Sequence, residues 1–155
     1  MDNEKLSKEE QDVEREILSK TQAARMNAVT LAFLGDAVYT LYVREKLVRS
    51  NTGRAADLQR TAAKVLSAKG QSAFLDKVLT LFNEEENDVF HRGRNAKKAT
   101  KSKNASAAEY CRSTGFEAVL GFLYLSGEDE RIAYLLSFLE EQSLQGQAAP
   151  TVYKP

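Results

Sequence analysis

Apolar residues recur at steps of three and four from about Asn27 to Val48, and this pattern constrains the fold more than any other. Steps of three and four place side chains on the same side of a helix, and here they cover much of its circumference. The stretch is therefore predicted to form a long, largely buried helix. The residues in the pattern are Leu31, Phe33, Leu34, Ala37, Val38, Leu41 and Tyr42.

Six further segments carry helical patterns or helix-start signals. Asn83 followed by Glu86, and Ser106 ahead of a second strongly apolar run, have the form of helix N-caps, while Gly127 suits a helix end. Runs with the alternation typical of β-strands are nearly absent. An all-α fold of about seven helices is predicted. The six segments are 8–20, which is acidic, 55–68, 72–82, the stretch after Asn83, 107–126 and 128–142.

The length of 155 residues and the 43% apolar content suit one globular domain. We expect an acidic N-terminal extension over residues 1–21, the main domain over 22–142 and a C-terminal tail over 143–155. The sequence shows neither a secretory signal nor a membrane-spanning run. The single cysteine, Cys111, forms no internal disulfide, and with one histidine it builds no zinc site. These features indicate a reduced cytoplasm and no membrane.

Two carboxylates stand alone in the two most apolar stretches. Asp36 is the only acid between residues 28 and 43, and Glu117 is the only acid between 110 and 127. A buried carboxylate needs a partner, and the nearby Gly35 and Gly121 suggest that the two helices approach closely. If these helices pack together, the acids converge and can hold a hard divalent cation such as Mg²⁺. The alternative is that each acid pairs with a basic side chain or caps a helix end.

A basic run, "RGRNAKKATKSK" over residues 92–103, contains six cations and no anion in a chain of zero net charge. Such a run indicates either a polyanionic partner or a solvated basic loop. A basic strip beside two metal-holding carboxylates is the combination that phosphodiester hydrolysis requires, because cations position the backbone and the metal activates water.

Three motifs connect this chain to a known family. "LAFLGDAVY" (31–39) resembles the signature helix of the ribonuclease III catalytic domain, and "FEAVLGFLYLSG" (116–127) resembles its second acidic motif. "HRGRNAK" (91–97), followed by a polar loop and "YCRSTGFEA", is similar to Mini-ribonuclease III, the compact relatives that lack a separate double-stranded-RNA-binding domain. The resemblance covers roughly residues 22–140 and makes the main domain a catalytic one.

The resemblance implies a helical homodimer that cleaves double-stranded RNA with Mg²⁺, for which Mn²⁺ can substitute. Asp36 and Glu117 take the places of the catalytic metal ligands, and metal-activated water leaves a 5′-phosphate and a 3′-hydroxyl. The implied substrate is precursor large-subunit (23S) ribosomal RNA in a bacterial cytoplasm. The residues expected to bind RNA are Arg92, Arg94, Asn95, Lys97, Lys98, Lys101 and Lys103, with Asn104 as a further candidate.

The chain departs from the larger family members at two positions, where Ala32 and Thr114 stand in place of acids. One alternative is therefore a catalytically silent relative that binds RNA or a ribosomal particle. A second alternative is a helical interaction module whose acids pair with basic side chains.

Overall fold

The computed structural model describes residues 14–50, 53–96 and 106–139. Over these ranges the chain forms seven α-helices and one short 3₁₀ turn, without a strand, which confirms the predicted all-α class. The helices are α1 (Lys20–Ala24), α2 (Ala28–Ser50), α3 (Ala55–Leu66), α4 (Ala68–Val78), α5 (Glu84–Ala96), α6 (Ala107–Leu125) and α7 (Asp129–Leu136), and the 3₁₀ turn is Leu79–Leu81. Among these helices, none combines the length and the apolar character that crossing a bilayer requires.

The predicted helix signals act as expected. The Asn83 side chain accepts from the Glu86 amide at 2.9 Å, and the Glu86 carboxylate accepts from the Asn83 amide at 2.9 Å. Ser106 and Glu109 form the same reciprocal capping box at the start of α6. Gly127 follows α6 with φ +72°, a conformation that favours glycine. Local sequence therefore fixes where α5 begins and where α6 begins and ends.

Helix α6 forms the centre of the domain, and α2, α4 and α5 pack around it. Tyr39, Phe74 and Phe116 join α2, α4 and α6 through ring centroids 5.3 to 6.1 Å apart. Burial raises the pKa of the Tyr39 hydroxyl, so this phenol stays neutral. Tyr39 is therefore a packing residue of the core.

The N-terminal segment departs from its prediction. Residues 14–19 are not helical and lie across the end of α6, where the Leu18 amide donates to the Leu125 carbonyl at 2.9 Å. The Arg15 guanidinium lies 3.9 Å from the centroid of the Tyr124 ring and 2.8 Å from the Asp129 carboxylate. These contacts to α6 and α7 outweigh the helical tendency of the acidic segment, and α1 begins only after the Ser19 cap.

The last helix, α7, ends at Leu136 rather than at residue 142, because the next three residues form turns. Residues 1–13 and 140–155 lie outside the described ranges, as do the rest of the predicted first helix and the tail. The boundaries of the domain at residues 22 and 142 stay predictions.

Candidate active site

Helices α2 and α6 cross through direct backbone contact. A Cβ atom at Gly35 would lie 1.7 Å from the carbonyl oxygen of Glu117, and one at Gly121 would lie 2.0 Å from that of Leu31. Only glycine permits this approach, because any side chain would overlap the opposite backbone. The predicted close packing is confirmed. Because Asp36 follows Gly35 directly, it lies at the same crossing as Glu117.

The expectation that both carboxylates are buried is wrong for Asp36. Its side chain is exposed, and the Glu117 side chain is half-buried. The reason is the orientation of α2, which turns one face to solvent and places Asp36 at the edge of that face. The Asp36 carboxylate forms no hydrogen bond or ion pair with another residue of the described chain. An exposed carboxylate needs no such partner, so it remains available for an external cation.

The crossing offers a cation two carboxylates. Within residues 14–50, 53–96 and 106–139, no group of three or more Asp, Glu, His or Cys side chains is arranged to hold a metal. Ala32 and Thr114, each one turn or less before the two acids, are buried, and the Thr114 hydroxyl donates to the Tyr110 carbonyl at 3.1 Å. Asp36 and Glu117 fit a hard cation such as Mg²⁺, which takes one or two protein carboxylates and keeps several waters.

The end of α5 lies beside this crossing. A Cβ at Gly93 would lie 2.9 Å from the Cβ of Ala118, the residue after Glu117. Arg94 is half-buried with its guanidinium carbon 5.7 Å from the Phe90 ring centroid, and Asn95 is exposed. The structure thus packs the turn that carries two of the predicted RNA-binding residues against α6, at the residue that follows Glu117.

The remaining predicted RNA-binding residues divide into two groups. Arg92 turns toward the protein, since its Nη2 donates to the Ala24 carbonyl at 2.5 Å. The lysines of the basic run lie outside the described residues, and so does Asn104. They are Lys97, Lys98, Lys101 and Lys103.

An exposed apolar surface on α2, which we call the α2 stripe, consists of Phe33, Leu41 and Val48. These side chains are 85%, 64% and 67% exposed. The prediction that Phe33 and Leu41 belong to the buried side of the helix is wrong. Spacings of eight and seven residues do place the three on one side of a helix, but other apolar residues cover the rest of α2, so periodicity alone did not show which side is exposed.

Comparison with known proteins agrees with these observations. The family model described as Ribonuclease III domain matches residues 29–128, a range that includes both Asp36 and Glu117. Mini-ribonuclease 3 of Symbiobacterium thermophilum is 44% identical over 119 residues, which cover 77% of this chain and 92% of that protein. Mini-ribonuclease 3 of a Thermoanaerobacter species is 40% identical over 121 residues, covering 78% and 85% of the two chains.

A solved structure extends the similarity to the fold. The crystal structure of a protein from Fusobacterium nucleatum superimposes with a TM-score of 0.69 and 26% sequence identity, covering 77% of this chain and 96% of that one. The chain belongs to the ribonuclease III domain family and, within it, to the Mini-ribonuclease 3 group.

Proposed function

We propose that this protein is an endoribonuclease that hydrolyses double-stranded RNA with a divalent cation, Mg²⁺, held by Asp36 and Glu117. The observation that supports the proposal is the glycine-mediated crossing of α2 and α6, since Asp36 and Glu117 follow or form the main-chain contacts at that crossing and lie within the matched ribonuclease III domain. Mn²⁺ is expected to substitute for Mg²⁺, because both are hard cations that prefer oxygen ligands.

The two carboxylates would hold the cation from different sides of the crossing. Asp36 supplies oxygens from the exposed edge of α2, where a phosphate can approach, and Glu117 supplies oxygens from the half-buried side of the crossing. When bound, the cation supplies acidity to water and neutralises charge on the scissile phosphate. Water attacks phosphorus, the bond from phosphorus to the 3′ oxygen breaks, and the products carry a 5′-phosphate and a 3′-hydroxyl.

The adjacent end of α5 supplies contacts to the RNA backbone. Duplex RNA is recognised mainly through its shape, its phosphates and its 2′-hydroxyls. Arg94 and Asn95 offer a cation and an amide of the required kind beside the carboxylates. We propose that they act with the lysines at 97, 98, 101 and 103 in binding duplex RNA.

The α2 stripe supports a homodimer. Three large apolar side chains exposed along one helix form the kind of patch that marks a protein interface, and a twofold axis through the stripe pairs it with itself. Asp36 would then lie at the edge of the interface, giving two sites on one assembly. Replacing both Phe33 and Leu41 by Asp should convert the dimer to a monomer in analytical ultracentrifugation, and a wild-type protein that sediments as a monomer would refute this part of the proposal.

The relationship to Mini-ribonuclease 3 supports a proposal for the substrate. We propose precursor large-subunit ribosomal RNA, processed in a bacterial cytoplasm, and cleavage of a transcript carrying the base-paired ends of that precursor tests it. A catalytically silent RNA-binding relative is the second candidate, favoured by Ala32 and Thr114 at positions where larger relatives have acids.

Cleavage of a long RNA duplex in Mg²⁺, compared with EDTA, separates the two candidates. Asp36→Asn and Glu117→Gln should each lower the rate at least about 100-fold, since loss of a residue that merely supports a metal ligand already costs 10- to 100-fold. Glu130→Gln, which alters an exposed acid on α7, is the matched control and should leave the rate unchanged. Binding of the duplex without cleavage would favour the silent relative, and neither binding nor cleavage would refute both.

A further inference from the structure

Arg92, the first cation of the basic run, is engaged within the protein. Its Nη2 donates to the carbonyl of Ala24 at 2.5 Å, and its Nε lies 3.6 Å from the Asp88 carboxylate. The Nε atom is itself buried and forms no hydrogen bond within the described chain. The Nη2 and Nε atoms of this guanidinium are therefore directed at the protein, although the side chain as a whole keeps 38% of its surface exposed.

The Ala24 carbonyl that Arg92 binds belongs to a segment that is fixed by contacts with the rest of the protein. Residues 14–24, which we call the N-terminal strap, contact the far end of α6 through Arg15 and Leu18. Ala23, next to the acceptor, is fully buried in the core. A hydrogen bond from a charged guanidinium to a fixed carbonyl is stronger than one between neutral groups. The strap therefore gives Arg92 a stationary attachment point.

On its other side, the last part of α5 packs closely against α6. A Cβ atom at Gly93 of α5 would lie 2.9 Å from the Cα atom of Gly115 in α6. A Cβ atom at Gly115 would lie 2.7 Å from the carbonyl oxygen of Phe90 in α5, so both positions would overlap the opposite helix. The last turn of α5 is thus fixed by α6 on one side and by the strap on the other. The Arg94 guanidinium lies over the Phe90 ring, and its Nε donates to the Asn95 Oδ1 at 3.4 Å. The other polar groups of Arg94 and Asn95 remain for another partner.

We propose that Arg92 is a positioning residue, which holds the last turn of α5 against the N-terminal strap so that Arg94 and Asn95 face the RNA, and that it does not itself contact RNA. The inference rests on the proposed function, since it assigns different roles to neighbouring cations in binding duplex RNA. Without the bond to Ala24, the end of the helix frays, and the RNA-binding groups must be ordered again at each binding event.

Salt dependence distinguishes positioning from direct contact. Binding of a 20-base-pair RNA duplex is measured by fluorescence anisotropy in EDTA, which prevents cleavage, between 50 and 200 mM KCl. Arg94→Ala should reduce the slope of log affinity against log salt by roughly 0.7 to 0.9, the value for one lost phosphate contact. Arg92→Ala should weaken binding roughly 3- to 10-fold while changing the slope by less than half of that amount.

Hydrogen exchange tests the contact without RNA. Arg92→Ala should raise the exchange rate of the amides from Ala23 to Met26, whereas Arg94→Ala should not. Arg15→Ala, which loosens the strap at its far anchor, should weaken RNA binding less in the Arg92→Ala background than in the wild type, because both changes release the same turn. Arg49→Ala, an exposed cation paired with Glu45 on α2, is the control for loss of a positive charge.

Several results would overturn the inference. A slope for Arg92→Ala that falls as far as that of Arg94→Ala makes Arg92 a phosphate contact, and unchanged exchange shows that its bond to Ala24 holds nothing in place. Raised exchange with unchanged affinity also refutes a role in RNA binding. If the wild type binds no duplex RNA, the proposed function fails at that point, whereas the exchange measurement still decides whether Arg92 holds the strap.

Discussion

The sequence neighbours of Asp36 and Glu86 suggest that Asp36 is buried and Glu86 exposed, and the structure shows the reverse. Asp36 stands in an apolar helix yet is exposed, whereas Glu86 stands among acids and is completely buried. Glu86 accepts hydrogen bonds from Arg131 Nε at 2.9 Å and Nη2 at 2.8 Å, and Arg131 also donates to the Leu81 carbonyl at 2.6 Å. The hydrogen bond to Glu86 raises the pKa of Arg131, so this guanidinium stays charged near neutral pH.

The difference shows that burial of an acid depends on which helices cover it rather than on its neighbours along the chain. Helix α7 covers Glu86 and brings Arg131 with it, while no described helix covers the face of α2 that ends at Asp36. The acid that has its charge partner inside the protein holds the fold together. The acid that lacks one remains free for a cation, and this separates a structural carboxylate from a candidate catalytic one.

The largest effect is expected from Glu86→Ala. It removes the carboxylate from a partly buried arginine and one half of the α5 capping box, so the free energy of unfolding should fall by about 3 kcal/mol in urea denaturation. Glu85→Ala, an exposed acid in the same turn, should change it by less than about 0.5 kcal/mol. Equal effects of the two changes would mean that the ion pair with Arg131 contributes nothing.

Gly35→Ala should have the next largest effect. The added methyl group would overlap the Glu117 carbonyl and force α2 away from α6, costing about 1–3 kcal/mol of unfolding free energy. RNA cleavage should fall as well, because the shift separates Asp36 from Glu117. Gly53→Ala adds the same group where the nearest atom, Asp57 Cβ, lies 4.0 Å away, and it should leave both quantities unchanged. A fully active Gly35→Ala enzyme would contradict the proposed placement of the two acids.

The smallest effect is expected from Glu109→Gln, which alters a half-buried capping carboxylate whose place in α6 corresponds to that of Glu86 in α5. Hydrogen bonding to Ser106 lowers the pKa of Glu109 below its usual value near 4.5. A lowered pKa in the folded state stabilises the protein above the unfolded pKa, and that stability is lost as the pH falls through the folded pKa. Urea unfolding should therefore show a small deficit for Glu109→Gln at pH 7 that is smaller at pH 3. A deficit of equal size at both pH values would show that the charge is irrelevant.

The sequence predicted the fold more completely than the environments of its acids. Cap residues such as Asn83 and Ser106 act within one turn, so the helix limits that they set appear in the structure as expected. Gly35 and Gly121 correctly indicated the crossing of α2 and α6. The burial of Glu86, the exposure of Asp36 and the bond from Arg92 to a main-chain carbonyl depend on contacts between distant segments. A pattern of residue types does not show directly which distant segments are in contact.

The non-helical segment at residues 14–19 illustrates the same limit. Its acidic composition favours a helix, but the hydrogen bond between Leu18 and Leu125, 107 positions apart, is decided only once α6 has formed. The sequence therefore identified the elements of the candidate site, and the tertiary contacts determined which side chains those elements expose.

The crossing at Gly35 also bears on how this chain tolerates change. Main-chain atoms set the separation of α2 and α6 there, so exchanging one core side chain for another elsewhere leaves the separation of Asp36 and Glu117 as it is. The interior of this chain could therefore be repacked, for example for heat resistance, with little change in the spacing of the two acids, provided that both glycines are left in place.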